Sequence, residues 1–399
     1  MIDKTTLPLV RLHTGRHKRA LLGHPWIYSN EIQMEPAVKA LPPGALIRLV
    51  AAGGEFLGIA TFNPHTLIAA RILSRDAGTT VDRDWLTRRL ARALALRNRL
   101  YDRPFYRLVH AEADGLPALV VDRYGDVLVV QPNSAAMERL LSDILAALDT
   151  VVGAGTIVVR RDSTTRVLEG LPEQEPEVVK GTLDGPLALE ENGGTFFADV
   201  SSGQKTGWFY DQRDNRAAVA AFAKGGRVID FYSYNGGFAV LAAQRGAAHV
   251  TAVDRSQLAL DMGARAAEAN GVADRCSFMK TDAFAELERL AVAGETFDVV
   301  IADPPAFVKS KKDLPAGTRA YRKMTRLSAK ITAPGGILLV ASCSHNMEPA
   351  LFAEQVARGL NDAGRTGRIL RSSGAAADHP VHPFLPESAY LKAQILQLD

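Results

Sequence analysis

Arg227-Val-Ile-Asp-Phe-Tyr-Ser-Tyr-Asn-Gly-Gly237 is the stretch on which the fold turns. Val228 and Ile229 are apolar and β-branched and lead to Asp230, which predicts a short buried strand over 227–230. Two glycines then open a turn into an apolar helix over 239–245. The same unit recurs downstream. His249-Val-Thr-Ala-Val-Asp254 predicts a strand and 258–269 a helix; Phe297-Asp-Val-Val-Ile-Ala302 and Gly336-Ile-Leu-Leu-Val-Ala341 predict two more strands, with a helix over 319–331 between them. Alternation of this kind implies an α/β domain over residues 186–399 with a doubly wound, mostly parallel sheet. In such sheets ligands bind beyond the carboxyl ends of the strands.

Those strand ends carry pointed chemistry. The first ends in Asp230 and leads to Gly236, where backbone without a Cβ permits close approach of a ligand. No G-x-G-x-x-G follows, which argues against NAD or FAD. The second ends in Asp254, whose carboxylate can accept two hydrogen bonds from ribose hydroxyls. Met279-Lys-Thr-Asp282-Ala283 sets an acid at the next strand end, suited to an adenine amino group. One aspartate alone is an ordinary helix cap; three after successive strands, with a glycine turn at the first, point to a nucleoside cofactor. The order resembles the Rossmann-like sheet of class I S-adenosylmethionine-dependent methyltransferases. That resemblance implies Asp230 and Gly236 near the methionine moiety, Asp254 on the ribose, and Asp282 with Ala283 at the adenine.

The fourth strand ends Asp303-Pro304-Pro305 and the next ends Ser342-Cys343-Ser344. In the usual methyltransferase sheet these strands are neighbours about 4.8 Å apart, so Asp303 and Cys343 are expected to face one pocket. Methyl transfer to nitrogen or oxygen needs no thiol. Cytosine C5 does: a thiolate added at C6 makes C5 enamine-like, while a carboxyl group at N3 assists. The plain reading of Cys343 is a small packed residue; its place beside Asp-Pro-Pro favours the nucleophile. Cys276 lacks such neighbours and reads as packing. Two cysteines in all exclude a disulfide framework or a cysteine-rich zinc site, and no metal is expected.

The 399 residues exceed one average domain. Residues 1–75 read as a compact β-barrel, with strands over 44–50, 55–61 and 67–73. Residues 76–185 read as an α+β unit. It comprises a helix over 85–100 studded with Arg88, Arg89, Arg92, Arg97 and Arg99, a hairpin turning at Tyr124-Gly-Asp126, a helix over 134–148 and a strand over 156–160. The acidic, two-proline stretch 169–177 predicts a loop near a boundary. Net charge is +3, yet residues 1–75 hold nine Lys and Arg against four Asp and Glu. A basic end fits a polyanionic partner as well as a solvated surface. No apolar run is long enough to span a membrane, and Met1–Thr6 does not open a signal peptide, which points to the cytoplasm.

Lys205-Thr-Gly-Trp-Phe-Tyr-Asp-Gln-Arg-Asp-Asn-Arg216, Phe231-Tyr-Ser-Tyr-Asn-Gly-Gly-Phe238, Asp303-Pro-Pro-Ala-Phe307 and Ser342-Cys-Ser344 resemble blocks of the bacterial large-subunit (23S) ribosomal RNA cytosine-C5 methyltransferases. Gly15-Arg-His-Lys-Arg19 with His24-Pro-Trp-Ile-Tyr-Ser-Asn30 is similar to the start of their N-terminal PUA domain. The resemblance implies an RNA-binding PUA domain over 1–75, a central domain over 76–185 and a catalytic domain over 186–399. It implies S-adenosyl-L-methionine as cofactor, ribosomal RNA as partner, and Gln212 and Arg213 beside the cofactor site. Arg16, Lys18 and Arg19 would meet phosphates. The target cytosine must be unstacked to reach the thiol. Many RNA cytosine-C5 methyltransferases hold a second cysteine after Pro-Pro; here it is Ala306, so the motif assigns no acceptor for the last proton. The sequence leaves monomer and homodimer both open. Two rivals stand beside this reading: a methyltransferase of the same fold acting on a guanine nitrogen, and an RNA-binding assembly factor with a vestigial catalytic domain.

Overall fold

The computed structural model describes residues 7–201 and 206–399. Residues 1–6, read above for a leader, and Lys205 lie outside them. The chain forms two compact units: Met1–Gly185 with Val200–Thr206 and Asp378–Ser388, and Pro186–Asp199 with Gly207–Ala377 and Ala389–Asp399.

The first unit opens with strands β1 (Leu9–Arg11), β2 (Trp26–Tyr28), β3 (Ala45–Val50), β4 (Phe56–Phe62) and β5 (Ile68–Ser74), joined in the order β1-β3-β4-β5-β2. Backbone bonds from His13 N to Glu31 O and from Gln33 N to Arg11 O, both 2.8 Å, tie the two edges and close the barrel. Its core is Val10, Leu12, Ile27, Ile47, Leu49 and Phe62. The same unit holds β6 (Phe105–His110), β7 (Leu119–Tyr124), β8 (Val127–Pro132), β9 (Thr156–Arg161) and β10 (Gln174–Lys180), in the order β10-β9-β8-β7-β6. The helices Arg83–Leu100 and Leu141–Val152 bury Leu86, Leu90, Ile144 and Leu148 on this sheet.

Two expectations for this unit need correcting. The stretch 169–177 is not a loop throughout: β10 begins at Gln174 and pairs antiparallel with β9. Its Pro176 falls where the register shifts, on the edge strand, where a missing N–H costs nothing. Glu169 is buried and paired with Arg71 at 2.8 Å. Nor does Arg97 belong to an exposed basic face. It is fully buried, forked onto Asp114 at 2.6 and 2.8 Å, and donates to the Asp378 carbonyl at 2.8 Å.

The second unit opens with a hairpin, β11 (Leu187–Glu191) and β12 (Gly194–Ala198). Then come β13 (Arg227–Phe231), β14 (His249–Asp254), β15 (Cys276–Lys280), β16 (Phe297–Ala302), β17 (Thr332–Ser342), β18 (Gly367–Ser373) and β19 (Lys392–Leu398), in the order β15-β14-β13-β16-β17-β19-β18. Neighbours from β15 to β17 are parallel; β19 is antiparallel to β17 and β18. Strands sandwiched by helices must be apolar on both faces, and Val299, Val300, Ile301, Leu338, Leu339 and Val340 are all buried. Strand order reverses at β13, so the crevice for a ligand lies where β13 and β16 part. Among the described residues no helix is long and apolar enough to cross a membrane.

Candidate active site

The turn after β13 is conformationally costly. Tyr232 and Tyr234 take φ of 62° and 50°, a region L-residues rarely occupy, and Gly236 caps the helix Gly237–Gln244 at φ 75°. A Cβ on Gly236 would stand 3.0 Å from Gly263 Cα. The two tyrosines were not singled out by the sequence, since nothing in a tyrosine signals a left-handed backbone. Asp230 sits beneath this turn, fully buried, with Oδ2 accepting from Ala239 N at 3.2 Å. Burial pushes its carboxyl up to about 7; the Ser233 hydroxyl counteracts this in part, and the Asp303 charge adds to it. Ser233 lies near but not in hydrogen-bond geometry, so Asp230 Oδ1 is a buried acceptor without a partner. An acceptor of that kind suits a cationic group, such as the α-ammonium of S-adenosylmethionine.

Asp254 is half-buried at the end of β14. Its Oδ2 accepts from Tyr234 N at 3.0 Å and its Oδ1 from Ser256 N at 2.8 Å. Those bonds fix the carboxylate and leave each oxygen a lone pair for a hydroxyl. Asp282 caps the helix Ala283–Ala293, accepting from Ala285 N at 2.9 Å, and forms an ion pair with the exposed Arg255. The Ala285 N–H and then Arg255 hold its carboxyl below the usual range. Beyond it the rings of Phe284 and Phe307 stack at 6.0 Å, an aromatic wall that the sequence analysis did not single out.

Asp303 and Cys343 are half-buried on adjacent strand ends, with Ala302 of β16 opposite Val340 of β17. Cys343 Sγ lies 3.9 Å from the Pro304 carbonyl. The two loops are laced together: Ser344 Oγ accepts from Val308 N at 3.1 Å. The Tyr321 hydroxyl, from the helix Leu314–Lys330, bridges Ser342 Oγ at 2.8 Å and Ser344 Oγ at 2.9 Å. Across β17, Lys392 pairs in register with Ser342 and sends Nζ to the carbonyls of Ser344 (2.6 Å) and Tyr390 (2.7 Å). Cys276 begins β15; burial, with the nearby Asp274, pushes its thiol up to about 11, which leaves it inert at neutral pH.

Gln212 and Arg213 are buried just ahead of this sheet, with Asn215 donating to Gln212 Oε1 at 2.6 Å and Arg213 Nε facing Glu191 at 3.4 Å. The guanidinium that reaches the glycine turn is that of Arg216. It holds Glu191 at 2.6 Å, lies 4.4 Å over the Trp208 ring, and would meet a Cβ on Gly237 at 2.6 Å. In the first unit Arg16 and Lys18 are exposed. Arg19 pairs with Glu31 at 3.1 Å and packs 4.6 Å over Tyr28.

Residues 134–377 match the family model described as S-adenosylmethionine-dependent methyltransferase, and residues 10–75 match that of a PUA-like domain. The Ribosomal RNA large subunit methyltransferase I of Aeromonas salmonicida is 39% identical over 393 residues, spanning 97% of this chain and 98% of that protein. The protein of the same name from Pseudoalteromonas translucida is 37% identical over 98% of this chain and 99% of its own length. Among solved structures, a protein from Streptococcus mutans, described as a candidate SAM-dependent methyltransferase, superposes with a TM-score of 0.83 at 20% identity, covering 98% of this chain and all of that one. At that identity the likeness is one of fold.

Proposed function

The chain belongs to the S-adenosylmethionine-dependent methyltransferase family, and on that premise we propose that it methylates C5 of a cytosine in large-subunit (23S) ribosomal RNA through a covalent bond from Cys343 to C6 of the base. The observation that carries the proposal is the approach of Cys343 Sγ to the Asp303-Pro304-Pro305 loop, 3.9 Å from the Pro304 carbonyl. The name shared by the two relatives supports the RNA, and the thiol supports carbon over nitrogen as the acceptor.

Bound S-adenosylmethionine supplies an electrophilic methyl group. Asp230 with the Gly236 turn would hold its methionine end, Asp254 the ribose, and Asp282 with Ala283 the adenine; Gln212 and Arg213 would stand in the block that precedes the cofactor site, with Arg216 of the same block bracing the turn. The Cys343 thiolate adds to C6, forming the Sγ–C6 bond and pushing an electron pair toward N3, where Asp303 donates a proton or hydrogen bond. C5 then has enamine character and takes the methyl group. Loss of the C5 proton to solvent re-forms the C5–C6 double bond and expels Cys343 as thiolate, while N3 returns its proton to Asp303. Ala306 offers no group for that proton.

Residues 1–75 act as the RNA-binding domain, 76–185 as the central domain and 186–399 as the catalytic domain, in the cytoplasm. Arg16 and Lys18, both exposed, meet phosphates; Arg19, held by Glu31, orients that segment. Nucleoside mass spectrometry of ribosomal RNA from cells with and without the gene tests the proposal. Loss of one 5-methylcytidine is expected; loss of a methylguanosine instead replaces it with the guanine-nitrogen reading.

A further inference from the structure

Lys392 is a buried cation that nothing in the methyl-transfer scheme uses. Only 7% of it is exposed, and among the described residues it faces no carboxylate within ion-pair distance. An ammonium has three N–H donors. Two of them go to the carbonyls of Ser344 and Tyr390. Two carbonyl acceptors are poor compensation for a desolvated charge, and an apolar residue would fill the same place on β19 more cheaply. Lys392 stands opposite Ser342 in the β17–β19 register and reaches the carbonyl of Ser344. Its stem therefore runs beside the backbone of Cys343, the residue between them.

We propose that Lys392 is a positioning residue whose ammonium stabilises the Cys343 thiolate and, by gripping the Ser344 carbonyl, aims the sulfur at the base. The thiol proton leaves to solvent, and the lysine keeps its own three protons throughout. This rests on Cys343 being the nucleophile. Burial pushes Lys392 down to about 8, and the Cys343 charge pulls the other way, followed by the exposed Glu348, so the lysine and the sulfur interact electrostatically. Among the described residues, Tyr321, which burial holds largely protonated, Asp303 on the facing loop, and His345, stacked 5.2 Å from Tyr390, are further ionisable groups on the elements that carry or face Cys343. Among the described residues Lys392 is the buried cation whose ammonium reaches the carbonyl beside Cys343.

The test is the rate of Cys343 alkylation by iodoacetamide against pH, in full-length protein carrying Cys276→Ser. The wild-type midpoint is expected below the ordinary thiol value of about 8.5. Lys392→Met should raise it by at least one pH unit, roughly tenfold less thiolate at pH 7, while Lys392→Arg keeps it low. The pH profile of methylation should move with it, so Lys392→Met recovers at alkaline pH, which a purely structural loss would not do. A wild-type midpoint at or above 8.5, or an unchanged midpoint in folded Lys392→Met, overturns the proposal. If the methionine variant does not fold, the wild-type and arginine midpoints decide by the same criterion. Alkylation reads the thiol without methyl transfer, so failure here is distinct from failure of the nucleophile reading, which Cys343→Ala retaining activity would reveal.

Discussion

On the β14–β15 side of the strand-order switch, the candidate site carboxylates are held mainly by single backbone N–H groups, Asp282 having in addition the exposed Arg255. Asp254 accepts from Ser256, with one longer reach to Tyr234, and Asp282 accepts from Ala285. On the β16–β17–β19 side the partners are remote in sequence: Cys343 with Pro304, Tyr321 with Ser342 and Ser344, Lys392 with Ser344. The first half is a set of separate perches. The second is one network of buried polar groups, in which removing any member leaves others unsatisfied. Changes in the first half should therefore act singly and mildly on folding, and changes in the second should spread.

The largest effect belongs to the network half. Cys343→Ala should lower methyl transfer by at least about 10³-fold, as loss of a covalent nucleophile does, while cofactor binding by calorimetry stays intact. Near-normal turnover would remove the reason for treating that half as a nucleophile site. Next comes Asp230, at the switch itself. Its folded carboxyl titrates at about 7 against an ordinary 3.8, so the fold prefers it protonated. Wild-type stability should therefore fall as pH rises from 3.8 through 7 and level off above. Asp230→Asn should remove that loss, gaining up to about 4 kcal/mol over wild type at pH 8 relative to pH 4. Urea unfolding of the ligand-free protein at both pH values measures it; parallel pH dependence in the two proteins would show that Asp230 is not buried uncompensated.

Tyr321→Phe should cost about 1–3 kcal/mol, because it strips the bridge from two buried serine hydroxyls. The loss should come with reduced methyl transfer, since the loop carrying Cys343 loosens. Denaturant midpoints and single-turnover rates together check this, and a stability loss with unchanged rate would uncouple the network from the thiol. The smallest effect is on the perch side: Asp282→Ala should cost about 1 kcal/mol as a lost helix cap and weaken cofactor binding without altering the single-turnover rate at saturation. A rate change there would mean that the two halves are not independent.

The difference between the halves also explains what could be read in the sequence. Asp230, Asp254 and Asp303 end strands that short apolar runs announce, so their placement at one sheet edge follows from local pattern. Arg97 was misplaced because its helix shows arginines on a polar face, and its burial depends on Asp114 and Asp378, the latter 281 residues away in sequence. β10 was missed because Pro172 and Pro176 look like breakers; only the partner strand shows that Pro176 falls at an edge bulge. Arg216 was passed over for Gln212 and Arg213 because all three sit in one block, and only the close approach of Gly237 shows which guanidinium reaches the turn.

By itself the sequence determined the α/β class and put Asp303 and Cys343 at the ends of neighbouring strands, because hydrophobic periodicity and strand-end residues are local properties. The tertiary structure alone decided which buried groups surround the thiol. Lys392 reaches the Ser344 carbonyl, next to Cys343, only because the last strand returns antiparallel beside β17, and strand pairing between distant segments leaves no mark in either segment alone.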